Sequence, residues 1–296
     1  MSGQDAGMGA GAMPPLVSTA WLAERLGDPG LVVLDASYFL PTEGRDARAE
    51  FAVTRVPGAG FFDIEAVADD DTPLPHMVPS AGRFARLVGA LGVSDDSRVV
   101  FYDAKGLFSA ARGWWLMRLF GHDAAAVLDG GLPKWRAEGR TVEDGPARVP
   151  EPGRFTPTLR AGLLRGTGDM LDNLASGEAL VLDARSAGRF TGEAPEPRAG
   201  MAGGHIPGAA SVPYSELLAA DGTMLPPDAL RRRLAEAGAD GSRPVVTSCG
   251  TGVTAAVVSL ALVVAGLPPG ALYDGSWTEW AQRADTPKEL GAGHRA

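Results

Sequence analysis

Cysteine is almost absent from this 296-residue chain: Cys249 is the only one, so no disulfide can form within it. Basic residues are scarce too, with 27 Lys and Arg against 36 Asp and Glu, a net charge of −9 and no long basic run. Nucleic acid is therefore not an expected partner, because neutralising phosphates takes clustered cations. The most apolar stretch, 254–265, is much shorter than the roughly 20 residues of a membrane-spanning helix. These absences predict a cytoplasmic protein with a free thiol and no membrane segment.

The chain repeats itself with an offset of about 145–150 residues, a period long enough to be a whole domain. Four pairs of segments match in the same order: 34–37 with 182–185, 55–59 with 205–209, 99–111 with 245–257, and 129–135 with 274–280. Each half shows an apolar run ending in Asp, a Pro-Gly turn, a helix, a second apolar run, a Gly-containing loop and another helix.

Strands that alternate with helices predict an α/β fold in which each half is a mostly parallel sheet flanked by helices. We predict a first domain at 14–143 and a second at 158–296. Between them lies a linker rich in Pro, Gly and charge at 144–157, and before them a disordered tail at 1–13.

Capping residues predict where the main helices begin and end. Ser80 is a predicted N-cap with Gly92 past the helix end, and Asp228 is predicted to cap the corresponding helix of the second half. Two further helices are predicted at 109–120 and 254–265, each followed by a glycine.

Cys249 lies where a predicted strand meets a Gly-containing loop and a helix. Ligands of parallel α/β sheets bind beyond the carboxyl ends of the strands, where this residue is expected. Gly250 and Gly252 allow successive backbone N–H groups to point inward, and the helix after Thr254 adds its positive end. A lone cysteine is otherwise most often an inert buried side chain. Here its surroundings favour the thiolate, which is the nucleophilic form.

Phosphatases also place a cysteine in a loop before a helix. They close the loop with an arginine six positions later, which grips phosphate with two hydrogen bonds. Ala255 stands at that position, so phosphate ester chemistry is not expected.

The loop 249–254 resembles the active-site loop of the 3-mercaptopyruvate sulfurtransferases, in the tandem-domain rhodanese family. Other stretches fit the same pattern, at 17–22, 74–77, 106–115, 129–135, 185–190, 193–198, 204–208 and 274–280. The likeness therefore covers about residues 17–287 and implies two rhodanese-like domains.

The resemblance implies a sulfurtransferase that moves sulfane sulfur from 3-mercaptopyruvate through a Cys249 persulfide to a thiol or cyanide, releasing pyruvate. No metal or other cofactor is implied. Because the chain has no second cysteine, the acceptor must be external, such as the thiol of a thioredoxin-like protein. The loop has no basic residue to suit dianionic thiosulfate, which favours mercaptopyruvate. A thiosulfate:cyanide sulfurtransferase and a persulfide-relay module acting on a partner protein are the alternatives.

The resemblance also implies a proton relay beside the sulfur. Thr251 occupies the position of a relay hydroxyl, and His76 of the first half matches the histidine that reaches across the domain interface. Either Glu65 or Asp63 is expected to orient His76.

A substrate site is implied in the same way. Arg189 and Arg198 match the pair that holds the substrate carboxylate and carbonyl, and Arg185 could substitute for either. The predicted substrate-binding loop residues are Gly250, Gly252, Val253 and Thr254.

The first half has Asp103 in place of the cysteine, and Arg55 in place of His205. Aspartate cannot carry sulfane sulfur, so the first domain is expected to be inactive. It is expected to frame the cleft, through His76 together with Lys105 and Arg112. Arg55 is expected to link structural elements and to have little effect on catalysis.

Overall fold

The computed structural model describes residues 13–293, so most of the predicted tail at 1–13 lies outside the described residues. The first half contains β1 (Leu16–Val17), α1 (Thr19–Ala23), β2 (Leu31–Asp35), α2 (Ala47–Val53), β3 (Gly60–Phe61), α3 (Ile64–Val67), α4 (Ala81–Ala90), β4 (Arg98–Tyr102), α5 (Ala110–Leu119), β5 (Ala125–Leu128) and α6 (Gly131–Ala137). The second contains β6 (Leu164–Arg165), α7 (Thr167–Ser176), β7 (Leu180–Asp183), α8 (Ala187–Thr191), β8 (Ala210–Ser211), α9 (Pro227–Glu236), β9 (Val245–Ser248), α10 (Ala255–Val264), β10 (Ala271–Tyr273) and α11 (Ser276–Gln282). Short 3₁₀ turns lie at Pro41–Glu43, Ala161–Leu163 and Tyr214–Leu217.

The two halves form separate sheets of the same topology. The strand order is β1-β5-β4-β2-β3 in the first and β6-β10-β9-β7-β8 in the second. Every strand pairing within these sheets is parallel. The central strands are runs of buried apolar residues, as strands covered by helices on both faces must be. The predicted α/β fold of two repeated domains is confirmed.

Most of the predicted helix ends are found within one residue. Ser80 caps α4 by accepting the Arg83 N–H at 3.3 Å. The prediction for Asp228 is wrong, because α9 begins at Pro227 with Pro226 as its N-cap residue. Proline suits the first helical position, where a missing N–H leaves no bond unmade. Asp228 lies instead inside the first turn, where its charge favours the positive helix end.

Helices α5 and α10 bring the two domains together. Each follows the central strand of its own sheet, and buried residues of both belong to one apolar core that spans the two halves. The loops that precede these helices are thereby placed at the domain interface. None of the helices in residues 13–293 combines the length and apolar character needed to cross a membrane.

The predicted linker contains no helix or strand and lies along the first domain, where the Gly153 N–H donates to the Gly89 carbonyl at 2.8 Å. Arg55, fully buried, anchors the start of this segment. Its guanidinium donates to the Glu143 carboxylate at 2.8 Å and to the Gly145 carbonyl at 2.7 Å. Arg55 thus links elements of the first domain, as expected for this position.

Candidate active site

Cys249 is the first residue after β9 and its side chain is buried. The Sγ atom accepts the Gly252 N–H at 3.1 Å, so the loop curls back over the sulfur. The Cys249 N–H donates to Ser276 Oγ at 3.2 Å, and the Trp277 N–H donates to the Cys249 carbonyl at 2.9 Å. The start of α11 therefore holds the main chain of the cysteine on both sides. The thiol has a fixed place at the carboxyl end of the sheet, where it was predicted.

The two loop glycines have different reasons to lack a side chain. Gly252 has φ 78°, in the left-handed region that side chains disfavour. A Cβ added at Gly250 would lie 3.0 Å from Arg189 Nη2, closer than an unstrained contact. The absence of a side chain at Gly250 thus lets a guanidinium approach the residue next to the nucleophile.

The equivalent loop of the first domain holds an anion of its own. One carboxylate oxygen of Asp103 accepts the N–H groups of Phe108, Ser109 and Ala110 at 2.8, 2.8 and 2.9 Å. The other accepts the Lys105 N–H at 2.8 Å. The Ala256 N–H of the second loop, which corresponds to that of Ala110, donates instead to the Val253 carbonyl at 3.3 Å. Surrounding a carboxylate with these N–H groups is therefore a feature of the first domain, where the aspartate fills the loop.

His76 of the first domain reaches Thr251 of the second. Its Nδ1 lies 2.9 Å from Thr251 Oγ1, and both side chains are buried. Burial, followed by the nearby charges of Arg112 and Arg198, lowers the pKa of His76 to about 3. The imidazole is consequently neutral at pH 7. In the tautomer that leaves Nδ1 unprotonated, this nitrogen accepts the hydrogen of the Thr251 hydroxyl.

Neither acidic candidate is placed where it orients His76. Asp63 caps α3 by accepting the Ala66 N–H at 3.2 Å and pairs with Arg48 at 3.0 Å. Glu65, in the first turn of the same helix, is exposed. Among residues 13–293, the buried Nε2 of His76 has no hydrogen-bond partner. This corrects the expectation of an acid behind the histidine, since helix capping and solvent exposure direct the two carboxylates elsewhere.

Arg189 lies against the active-site loop at Gly250, and Arg198 lies near His76. Arg189 donates to the Glu196 carboxylate at 2.6 Å through Nη2, and its side chain is 20% exposed, so it is not fully buried. Arg198 lies 3.4 Å from the hydroxyl of Tyr38, whose ring contacts the His76 ring edge-on with centroids 4.7 Å apart. One arginine thus stands beside the cysteine and the other beside the histidine.

Arg185 is not available to a substrate. Its side chain is fully buried, pairing with Asp183 at 2.6 Å and with Glu196 at 2.8 Å. It also donates to the Gly204 carbonyl at 2.7 Å and packs on the Trp277 ring. The expectation that it could replace either cleft arginine is corrected, because its donors are already used inside the second domain.

Three residues of the site were missed or only named in passing at the sequence level. Glu196 bridges two arginines, Tyr38 lies between Arg198 and His76, and Asp274 pairs with Arg112 across the interface. The signal for Asp274 was available, because it belongs to a segment that the repeat preserves.

Replacing Glu196 tests whether this carboxylate holds the cleft arginine in place. Glu196→Gln is expected to lower the free energy of unfolding by about 2–3 kcal/mol, because two buried charge-assisted contacts lose their anion. Urea unfolding measures the change. Glu193→Gln, on the same segment but exposed, is the control and should stay within about 0.5 kcal/mol of the original chain. Equal stability of the two variants would show that the bridge contributes nothing.

The sequence of the chain is similar to those of known proteins. A family model for the rhodanese-like domain matches residues 18–138 and again residues 167–283. The chain is 43% identical to the 3-mercaptopyruvate sulfurtransferase of Rattus norvegicus, over 94% of this chain and 95% of that protein. It is also 43% identical to the thiosulfate sulfurtransferase of Cricetulus griseus, with the same coverage.

The fold is shared with solved structures. The crystal structure of SseA from Escherichia coli, a 3-mercaptopyruvate sulfotransferase with the rhodanese fold, superposes with a TM-score of 0.81 at 38% sequence identity. The match covers 90% of this chain and 99% of SseA.

Proposed function

Because this chain belongs to the rhodanese-like family, with one copy of the domain in each half, we propose that it is a sulfurtransferase that takes sulfane sulfur from 3-mercaptopyruvate. The observation that carries the proposal is a buried cysteine whose sulfur accepts the Gly252 N–H in an uncharged loop, with an arginine against the neighbouring glycine. The relatives named above, at 43% identity over nearly the whole chain, support the same donor.

In the first half-reaction, the thiolate of Cys249 attacks the sulfur of 3-mercaptopyruvate. The bond between that sulfur and carbon breaks, its electron pair leaves with carbon as the enolate of pyruvate, and Cys249 becomes a persulfide. The enolate then takes up a proton to give pyruvate. Thr251 and the neutral His76 form a hydrogen-bonded pair, and the proton of the substrate thiol is transferred through this pair.

Arg189 and Arg198 bind the other end of the donor. A fork of N–H donors matches a carboxylate, and a cation beside the carbonyl stabilises the enolate as negative charge develops on its oxygen. Thiosulfate offers these two cations its sulfonate oxygens but forms no enolate, so their stabilisation of an enolate leaving group serves only the keto acid. Their position beside Gly250 and Tyr38 therefore favours the keto acid as donor.

In the second half-reaction, an external thiol attacks the outer sulfur, and the Cys249 thiolate leaves. A dithiol of the thioredoxin-like kind suits this step, because its second thiol can release the sulfur as sulfide while closing a disulfide. Such an acceptor and a free catalytic thiol both require a reducing environment, which favours the cytoplasm as the place of action.

The second candidate is a thiosulfate:cyanide sulfurtransferase, favoured by the similarity to the Cricetulus griseus protein. Mass spectrometry of the intact chain after each donor tests the choice: one added sulfur on Cys249 is expected with 3-mercaptopyruvate. Steady-state kinetics with both donors then gives their ratio of kcat/KM. A preference for thiosulfate would overturn the proposed donor. Slow turnover of both, with rapid persulfide transfer from a partner protein, would favour a relay.

Thr251 provides a test of the proton relay. Thr251→Ala is expected to lower kcat for pyruvate release about 100-fold, because the hydroxyl that links His76 to the cleft is lost. Thr251→Ser keeps the hydroxyl and should stay within about threefold. Stopped-flow detection of pyruvate measures both. An alanine variant as fast as the serine variant would exclude the hydroxyl from the proton transfer.

A further inference from the structure

A buried ion pair joins the two domains next to the active-site loop. Arg112, on α5 of the first domain, donates to Asp274 at 2.9 Å, and the two side chains are 1% and 7% exposed. Asp274 follows β10 of the second domain, and its other carboxylate oxygen accepts the Val78 N–H of the first at 2.7 Å. The cost of removing two charges from water offsets much of their mutual attraction. Such a pair therefore contributes little net stability, and stability alone does not explain why it is there.

The guanidinium of Arg112 also binds two main-chain oxygens of the active site. It donates to the His76 carbonyl at 2.6 Å and to the Gly252 carbonyl at 3.4 Å. His76 has φ 60°, a left-handed conformation that a non-glycine residue keeps only when its surroundings impose it. Gly252 is the residue whose N–H faces the Cys249 sulfur. One side chain therefore fixes the main chain behind the histidine and behind the thiol.

The repeat supplies an internal comparison, because the interface has a counterpart on the inactive side. There the Met224 N–H of the second domain donates to the Asp129 carboxylate of the first at 2.8 Å. This bond corresponds to that between Val78 and Asp274. The docking contact itself is thus present on both sides.

What differs between the two sides is the residue pair around that contact. Gly222, two residues before Met224 and with φ 79°, stands in the place of His76. The turn of α10 that corresponds to the Arg112 turn of α5 carries two valines, Val257 and Val258. On the inactive side these two positions are therefore occupied by glycine and valine. On the side of the cysteine they are occupied by histidine and arginine.

We propose that Arg112 is a positioning residue for sulfur transfer, which through its pair with Asp274 holds His76 against Thr251 and the Gly252 N–H against the Cys249 sulfur. The inference rests on the proposed function and extends it, by assigning to the first domain the alignment of the second domain's nucleophile.

The test uses the full-length chain with both charges removed together, Arg112→Met with Asp274→Asn, so that no buried charge is left unpaired. Asparagine keeps an oxygen acceptor for the Val78 N–H. We expect kcat for pyruvate release to fall about 10- to 100-fold, the effect of misplacing reacting groups by about 1 Å, with KM for 3-mercaptopyruvate changed less than about threefold. Arg112→Lys keeps the ion pair but not the fork, and should recover only part of kcat. If the double variant does not fold, Arg112→Lys carries the same test with a smaller loss.

Asp129→Ala is the matched control, because it removes the corresponding interdomain bond on the inactive side. It should leave kcat within about twofold of the original value, since it touches neither His76 nor the cysteine loop. A double variant with unchanged kcat, or a control that loses as much as the double variant, would overturn the positioning role.

NMR titration of His76 gives a readout that needs no sulfur donor. The groups that face this ring are Arg112, Arg198, Thr251 and Tyr38, and its pKa is lowered to about 3 by burial and then by the two arginines. In the double variant the pKa should rise, because the Arg112 charge is lost and a displaced ring is less buried, and in Asp129→Ala it should not move. An unchanged pKa in the double variant would count against the inference. Absence of pyruvate release by the original chain would count instead against the proposed function.

Discussion

Cys249→Ser is expected to abolish sulfur transfer from every donor. A serine hydroxyl cannot form the persulfide, and the chain has no other cysteine that could carry the sulfur. Neither pyruvate release with an acceptor present nor an added sulfur by mass spectrometry should exceed the level of a reaction without enzyme. The two measurements together separate a lost intermediate from a lost second step.

The fold should survive this substitution. The serine Oγ can accept the Gly252 N–H that the sulfur accepts, and the change in volume is small. Urea unfolding should therefore differ by less than about 1 kcal/mol. Cys249→Asp is a useful second variant, because the first domain shows that an aspartate fits this loop at Asp103. Retention of turnover in either variant would mean that the sulfur is carried without Cys249.

The fold was largely predictable because its signals are local or repeated. Apolar runs such as the one around Val246 indicate buried parallel strands. Ser80 indicates a helix start from its local sequence alone, independently of the tertiary structure. The repeat then supplied what local patterns cannot, namely that both halves share one topology. Asp228 shows the limit of this reasoning, since an acidic residue suits the first turn of a helix as well as its cap.

The site was predictable where its residues adjoin the cysteine in sequence, and less so elsewhere. The curl of the loop follows from Gly250 and Gly252, which lie within three residues of the thiol. By contrast, Arg185 and Arg189 stand four residues apart in one segment, and no pattern tells which of them is buried. That distinction depends on Glu196, whose carboxylate meets both only after the chain has folded.

Long-range partners were the hardest to assign. His76 and Thr251 are 175 positions apart, and only the family resemblance connected them. The acid expected behind the histidine was misassigned because Asp63 is also a good helix cap, a local role that its sequence context equally supports. Polar groups that meet across a domain interface leave no periodic trace in the sequence, so their pairing has to be seen in the structure.

The second large effect is expected from the cleft arginines and depends on the donor. Arg189→Ala and Arg198→Ala should each lower kcat/KM for 3-mercaptopyruvate about 10- to 100-fold, the value of one or two hydrogen bonds to a charged group. Turnover of thiosulfate should fall less, because that donor releases no enolate for them to stabilise. The ratio of kcat/KM for the two donors, measured in each variant, is the decisive quantity.

Two controls make this donor dependence specific. Arg232→Ala removes an exposed arginine of the second domain and should change neither donor. Arg189→Lys keeps the charge but not the planar fork, so it should restore less than the full rate if two-pronged binding of the carboxylate matters. Because Arg189 stands beside Gly250 and Arg198 beside Tyr38, the two contacts lie at different parts of the cleft. If kcat/KM fell equally for both donors, the arginines would stabilise the structure of the loop and would not recognise the keto acid.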